Sequence, residues 1–386
     1  MKKLGNLIPK ILSYIIVAAL ASAVTLFVFD TPPGKLDQLQ KLLEQRFIGE
    51  ADSIAIEDAG ARAMIAALGD RWSYYISADD YQSYEEQKKN AYVGIGVTIR
   101  VRTDELGFDV VKVEAGGSAK EEGVLPGDIL TEVDGQQAYP LGADGISNLI
   151  RGKEGTTVKI AVLRNGERKV FTLTRKTMQV AVATDRMLEG NVGLITIKNF
   201  NEKCASESKA AIDRLIEQGA KALIFDVRNN PGGYVSELTE LLDYLLPECV
   251  VFRSVDYTGR EQVIRSDAEA VQIPMAVLVN GESYSAAEFF AAALEEFDLA
   301  VIVGEPTCGK GYFQTTYHFS DGSAVGLSIG KYFTPKGVSL AEVGGLVPEI
   351  LEEVDEQTAA LIYAGLLEPE NDPQMQAAVR ALQEQQ

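Results

Sequence analysis

Between residues 178 and 365 the chain alternates short apolar runs with amphipathic ones, and this alternation restricts its fold more than any other feature. NVGLITIKNF reads as a strand, CASESKAAIDRLIEQG as a helix ending at Gly219, KALIFDVR as a strand and YVSELTELLDYLL as a helix. PMAVLVN is a further strand, a small-residue helix follows Ser285, and LAVIVGE is another strand. Strand-helix alternation of this kind builds an α/β core. Ligands of such cores sit in the turns at the C-terminal ends of the strands. The turns after KALIFDVR, PMAVLVN and LAVIVGE are therefore where chemistry is expected.

Each of those turns holds something unusual. In DVRNNPGG, Gly232 and Gly233 stand at the mouth of a helix, where glycine backbones can aim N–H groups outward and hold an oxyanion. By itself the motif reads as a Pro-Gly turn opening a helix. In NGESYSAAE, Ser283 and Ser285 precede a helix. A serine at a strand-to-helix turn can project its hydroxyl above the sheet as a nucleophile, or simply cap the helix. In GEPTCGKGYFQ, Lys310 lies between two glycines. Most lysines are solvated, but a buried, neutral one can act as the base for a serine. The single histidine, His318, falls in a stretch that reads as a hairpin and is expected to be a strand residue. A Ser-Lys pair does not need it.

Residues 1–35 are expected to be a cytoplasmic stub and membrane anchor. Ile11–Phe29 carries no charge, and at about 1.5 Å per residue it would span roughly 28 Å. Lys2, Lys3 and Lys10 precede it, which puts the N-terminus in the cytoplasm and the rest of the chain outside, at the cell membrane. A cleaved signal peptide is the rival, but the ASA site at 21–23 lies inside the apolar run. Residues 36–88 read as helical, with Leu36, Leu39, Leu42, Leu43 and Phe47 on one face. Such a stripe packs within the chain or against a second copy, and nothing in the segment suggests chemistry. Residues 89–177 form a β-rich module with turn dipeptides at Asp134-Gly135 and Asn165-Gly166. Residues 366–386 read as a polar tail, mobile or a short exposed helix. The net charge of −20 argues against a nucleic-acid partner. Cys204, Cys249 and Cys308 show no metal-type spacing and are expected as unpaired thiols. No metal or organic cofactor is implied.

Over residues 36–365 the chain resembles the carboxyl-terminal processing peptidases, or tail-specific proteases. NGESYSAAE matches their N-x-x-S-A-S-A-S-E motif with Ser285 as the middle serine, the family's nucleophile. Lys310 stands in the G-K-G segment at the family's spacing from that serine, and Gln314 follows as the third member of a Ser-Lys-Gln triad. VRNNPGG matches the family's L-R-x-N-P-G-G, so the resemblance implies oxyanion donors at Gly232 or Gly233 and at Ala286. GGLVPEI resembles its closing G-x-x-P-D segment. YVGIGVTI and GVLPGDILTEVDG resemble its PDZ domain, with Gly94, Ile95, Gly96 and Val97 as the loop that receives a peptide's terminal carboxylate. Arg151, in IRGKEGT, is implied as a residue coupling the PDZ domain to the core.

The implied fold is a ClpP/crotonase-like α/β protease core (178–365) with an inserted PDZ domain (89–177). The implied function is a membrane-anchored serine endopeptidase outside the cytoplasm that recognises protein C-termini. Two positions depart from the motif: Tyr284 and Ala287 replace an alanine and a serine. Cys308 stands where phenylalanine is common and would make the lysine loop sensitive to oxidation. The alternatives are a tethered PDZ binder with an inactive core, which Tyr284 alone favours, and an acyl-CoA enzyme of crotonase type, which the PDZ module and external location oppose.

Overall fold

The computed structural model describes residues 34–384. The expected anchor, 11–29, lies outside them; among the described residues no helix is long and apolar enough to cross a membrane. The chain falls into two compact units divided between Gly69 and Asp70.

The first unit holds two helices, Lys35–Arg46 and Ser53–Ala66, neither with a buried residue. The division corrects the expected 36–88 segment. Residues 70–88 belong to the second unit, where strand Tyr74–Ile76 pairs with Ala324–Phe333 and helix Ala78–Lys88 follows.

In the second unit a six-stranded sheet runs 183–188, 192–197, 222–226, 275–279, 300–304, 350–351. All neighbours are parallel except the first pair. Every residue of Met275–Val279 and Ala300–Gly304 is buried, as expected for parallel strands covered on both faces. Helices Cys204–Glu217, Val235–Leu245 and Ala286–Glu296 supply the apolar cluster on one face. The other face is covered by helix Pro373–Glu384, which buries Met375, Ala377, Ala378 and Leu382 against Ile224, Ala276 and Leu278. The expected polar tail is thus a packed helix. Its apolar residues are interleaved with glutamines and an arginine, and a sheet face left open by the other helices is what orders them.

Arg228, after strand Ala222–Asp226, fastens that helix to the turn that follows the strand. Its side chain, 4% exposed, pairs with Asp226 at 2.7 Å and Asp372 at 2.8 Å and donates to Gln374 Oε1 at 2.9 Å. Breaking a buried pair strands the remaining charge. Arg228→Met, which leaves two carboxylates facing each other, is expected to cost about 3 kcal/mol, read as a lowered denaturant midpoint.

The β-rich module enters and leaves through a two-stranded stem, Ala91–Gly94 against Lys176–Gln179. Its own sheet is ordered 97–101, 108–113, 129–133, 157–164, 167–174. Both expected turns have left-handed backbones at both central residues, with φ of 46° and 80° at Asp134-Gly135 and 53° and 82° at Asn165-Gly166, the hairpin geometry such dipeptides favour. Strand Val97–Val101 has a partner on one side only. Gly96, at φ 79°, lies so close to Gly117 that an added Cβ would sit 2.8 Å from its Cα.

Candidate active site

The two serines of NGESYSAAE separate cleanly. Ser283 is fully buried; its hydroxyl donates to the Val227 carbonyl at 2.7 Å and accepts from Asn280 N–H at 3.1 Å. It is committed to holding two strand-end turns together. Ser285 stands at the N-terminus of helix Ala286–Glu296 with φ 58° and ψ −121°. That backbone is rare for a residue with a side chain and concentrates at functional turns.

The glycine turn abuts this serine. A Cβ added at Gly232, φ 82°, would lie 2.8 Å from both Ser285 Cβ and Ala286 N, so only glycine lets the two turns approach. The Gly232 N–H donates to Asn230 Oδ1 at 2.9 Å. The N–H groups of Gly233 and Ala286 have no acceptor among the described residues. Gly233 is held by bridging to Phe200, with Tyr234 N–H donating to the Phe200 carbonyl at 2.7 Å.

Glu288 joins the serine turn to the lysine loop. It is fully buried, and its carboxylate accepts from Ser285 N–H (3.0 Å) and Lys310 N–H (2.6 Å) on one oxygen. The other oxygen accepts from Thr307 Oγ1 (2.9 Å) and Gly309 N–H (2.8 Å). Burial pushes its pKa up, against the pull of those donors. Sequence reasoning passed over it. The available signal was a single charge inside AAEFFAAAL, because a charge in an apolar helix must be partnered. The GGLVPEI segment backs the same loop: Leu346 N–H donates to Thr307 Oγ1 at 2.8 Å, and Gly345 leaves no room for a Cβ against the Thr307 carbonyl.

Lys310 is pushed down to about 8, by burial first and by Lys88 second, with Glu288 and Asp70 pulling the other way. Its ammonium lies over the rings of Trp72 (4.8 Å) and Tyr284 (5.9 Å). Tyr284, the bulky departure, therefore walls the lysine together with Trp72, the rings 5.6 Å apart. Cys308 accepts from Arg71 Nη2 at 3.1 Å.

Ser285, Lys310, Gln314, Gly232, Gly233 and Ala286 all line one cavity of about 520 Å³. The expected bond from Gln314 to Lys310 is not made: its amide nitrogen donates to Ser328 Oγ (3.0 Å) and the Tyr312 carbonyl (3.3 Å). Nor do Ser285 Oγ and Lys310 Nζ bond each other. The Tyr332 hydroxyl, fully buried, donates to the Lys310 carbonyl and meets the Ser285 side chain. Tyr74, Tyr84 and Lys88 also line the cavity, so a segment expected to be inert supplies part of the site. The density of aromatics in RWSYYISADDYQSY was the sign. His318 is exposed, edge-on to Tyr81, and does not line the cavity. Cys204 and Cys249, like Cys308, are unpaired.

In the β-rich module, Ile95 and Gly96 offer N–H groups with no acceptor among the described residues, beside the open edge of Val97–Val101. Gly94 lies in the stem, paired with Lys176, and Val97 opens the edge strand opposite Val113. Arg151 caps helix Ala138–Ile150 and lies 5.8 Å from the ring of Tyr92 in the stem; it does not reach the cavity.

Residues 191–351 match Peptidase family S41 and residues 93–174 match the PDZ domain. The chain is 32% identical over 357 residues to the carboxy-terminal processing protease CtpA of Bacillus subtilis, covering 88% of this chain and 76% of that protein. It is 30% identical over 308 residues to the "Probable CtpA-like serine protease" of Staphylococcus aureus, covering 79% of this chain and 62% of that protein. A solved structure from Bacteroides fragilis assigned to the S41 proteases shares the fold, with TM-score 0.54 at 14% identity over 92% of this chain and 98% of that one.

Proposed function

Because the chain belongs to peptidase family S41 and is a serine-type peptidase of the carboxy-terminal processing kind with a PDZ domain, we propose that Ser285 is its nucleophile and Lys310 its general base. The observation that carries this is the Glu288 carboxylate, which binds the N–H groups of both residues on one oxygen and so holds serine and lysine as a unit.

Neutral Lys310 takes the Ser285 proton as Oγ attacks the peptide carbonyl carbon. The oxyanion faces the unspent N–H groups of Gly233 and Ala286; Gly232, whose N–H is given to Asn230, shapes the turn instead. The Lys310 ammonium then passes its proton to the leaving amine. An ester remains on Ser285, and Lys310 deprotonates the water that hydrolyses it. For the first transfer Lys310 must swing from Trp72 onto Ser285, which its flexible stem permits while its backbone stays fixed on Glu288. Gln314 can orient it by exchanging Ser328 for the lysine. Protein C-termini enter through the PDZ domain, adding as a strand beside Val97–Val101 with the terminal carboxylate at Ile95 and Gly96. Residues 11–29 tether the enzyme, with the catalytic part outside the cytoplasm, on the strength of their sequence alone. Pairing through the apolar stripe of helix Lys35–Arg46 and coupling through Arg151 belong to the same proposal.

The test is incubation of the protein and its Ser285→Ala variant with casein, followed by mass spectrometry. Cleavage by the parent alone is expected. Cleavage by both would remove Ser285 from the nucleophile's role, and cleavage by neither would favour a PDZ-binding protein with an inactive core.

A further inference from the structure

The catalytic cavity contains a second lysine that the mechanism does not use. Lys88 ends helix Ala78–Lys88, and its ammonium lies between the rings of Tyr84 (5.5 Å) and Tyr234 (5.4 Å). The helix end is anchored beside the oxyanion turn: Asn201 Nδ2 donates to the Gln87 carbonyl, and Glu202 N–H donates to that of Lys88, both at 3.2 Å. Residues 200 and 233 bridge immediately alongside. Lys88 is therefore held at a fixed place in the lining of the cavity that Ser285 also lines.

Lys88 forms no ion pair or side-chain hydrogen bond among the described residues. Glu85 favours the charged form of Lys88 through space, but the contacts its two carboxylate oxygens make are with other residues. One accepts from the Tyr81 hydroxyl at 2.9 Å, and the other pairs with Lys89 at 3.4 Å. The cavity lining contains no carboxylate, and its ionisable groups are Lys88, Lys310 and tyrosines. Partial burial penalises the Lys88 charge, and Lys310, swung onto Ser285, is taken up with the reaction. A cation kept half-desolvated between two ring faces, in a carboxylate-free cavity of a protein with net charge −20, is set up to receive an anion from outside.

We infer that Lys88 is a specificity-determining residue that binds a carboxylate of the peptide being cut, close to the scissile bond. Lys88 has this role only if Ser285 cuts in the same cavity. The carboxylate has two sources: an acidic side chain flanking the bond, or the C-terminus of a chain that ends within a few residues of it. Either would favour cleavage at acidic sequences or removal of very short tails.

Matched peptides separate the two. The first series is C-terminally amidated and carries Asp or Asn at each position from three residues before to three residues after the bond. The second carries no acidic side chain and ends, at varied distance from the bond, in a free acid or an amide. Initial rates are measured with the full protein and with Lys88→Met, Lys88→Glu and Lys88→Arg. The parent is expected to prefer the carboxylate member by about tenfold in kcat/KM in one series at one position, the scale of a charged hydrogen bond. Lys88→Met should bring that ratio to about one, Lys88→Glu should invert it, and Lys88→Arg should retain it. Ratios within one variant cancel any general change in activity, including the upward shift of Lys310 when its charged neighbour is removed. A free-acid preference that survives Lys88→Met belongs to the PDZ domain and overturns the C-terminal source. Ser285-dependent cleavage of all matched peptides at equal rates by the parent overturns the assignment without any variant. Absence of Ser285-dependent cleavage removes the proposed function, and the assignment falls with it.

Discussion

Lys310→Met is expected to lower kcat by about 1000-fold or more, the upper range of a lost general base, while the thermal midpoint falls little. The methionine keeps most of the buried stem and relieves the cost of an ammonium in a ring-lined cavity. Lys310→Arg should be as inactive, because a guanidinium does not deprotonate. That variant separates loss of charge from loss of the base. The parent's pH profile provides the companion result. A lysine lowered to about 8 is protonated below that pH and neutral above it. The kcat/KM value should therefore rise about tenfold per pH unit up to about pH 8 and then level. A profile flat from pH 6 to 9, or an active Lys310→Met, would exclude Lys310 as the base.

Glu288→Gln should lower kcat by about 100-fold with KM little changed, the scale of a misplaced catalytic group. It should also cost about 2 kcal/mol of stability. Each Glu288 oxygen accepts two donors. In either amide orientation the new NH₂ meets at least one backbone N–H that cannot turn away: Gly309 on one side, Ser285 and Lys310 on the other. The serine turn and the lysine loop then separate. Glu288→Ala should cost more stability, about 3 kcal/mol, by leaving several buried donors bare. Normal turnover in Glu288→Gln, measured beside denaturant unfolding, would show that the carboxylate is dispensable for alignment.

The sequence alone carried a good deal of this. Strand-helix alternation is a local signal, and it named the α/β core because apolar runs of strand length must be covered on both faces. The motifs around Ser285, Lys310 and the Gly232-Gly233 turn were legible because each is a short stretch whose backbone does something only certain residues allow. Asp134-Gly135 and Asn165-Gly166 were legible for the same reason. Tertiary structure decided what local patterns do not encode. Which serine is structural depended on Val227 being the partner of Ser283, 56 residues away. That Pro373–Glu384 is a core helix depended on an uncovered sheet face and on Arg228 pairing with Asp372. That Trp72, Tyr84 and Lys88 belong to the site depended on a strand near residue 75 pairing with one near 325. Burial and charge pairing are properties of neighbours brought together from distant parts of the chain. They set the pKa of Lys310 and the ring-lined surroundings of Lys88, and no window of sequence contains them.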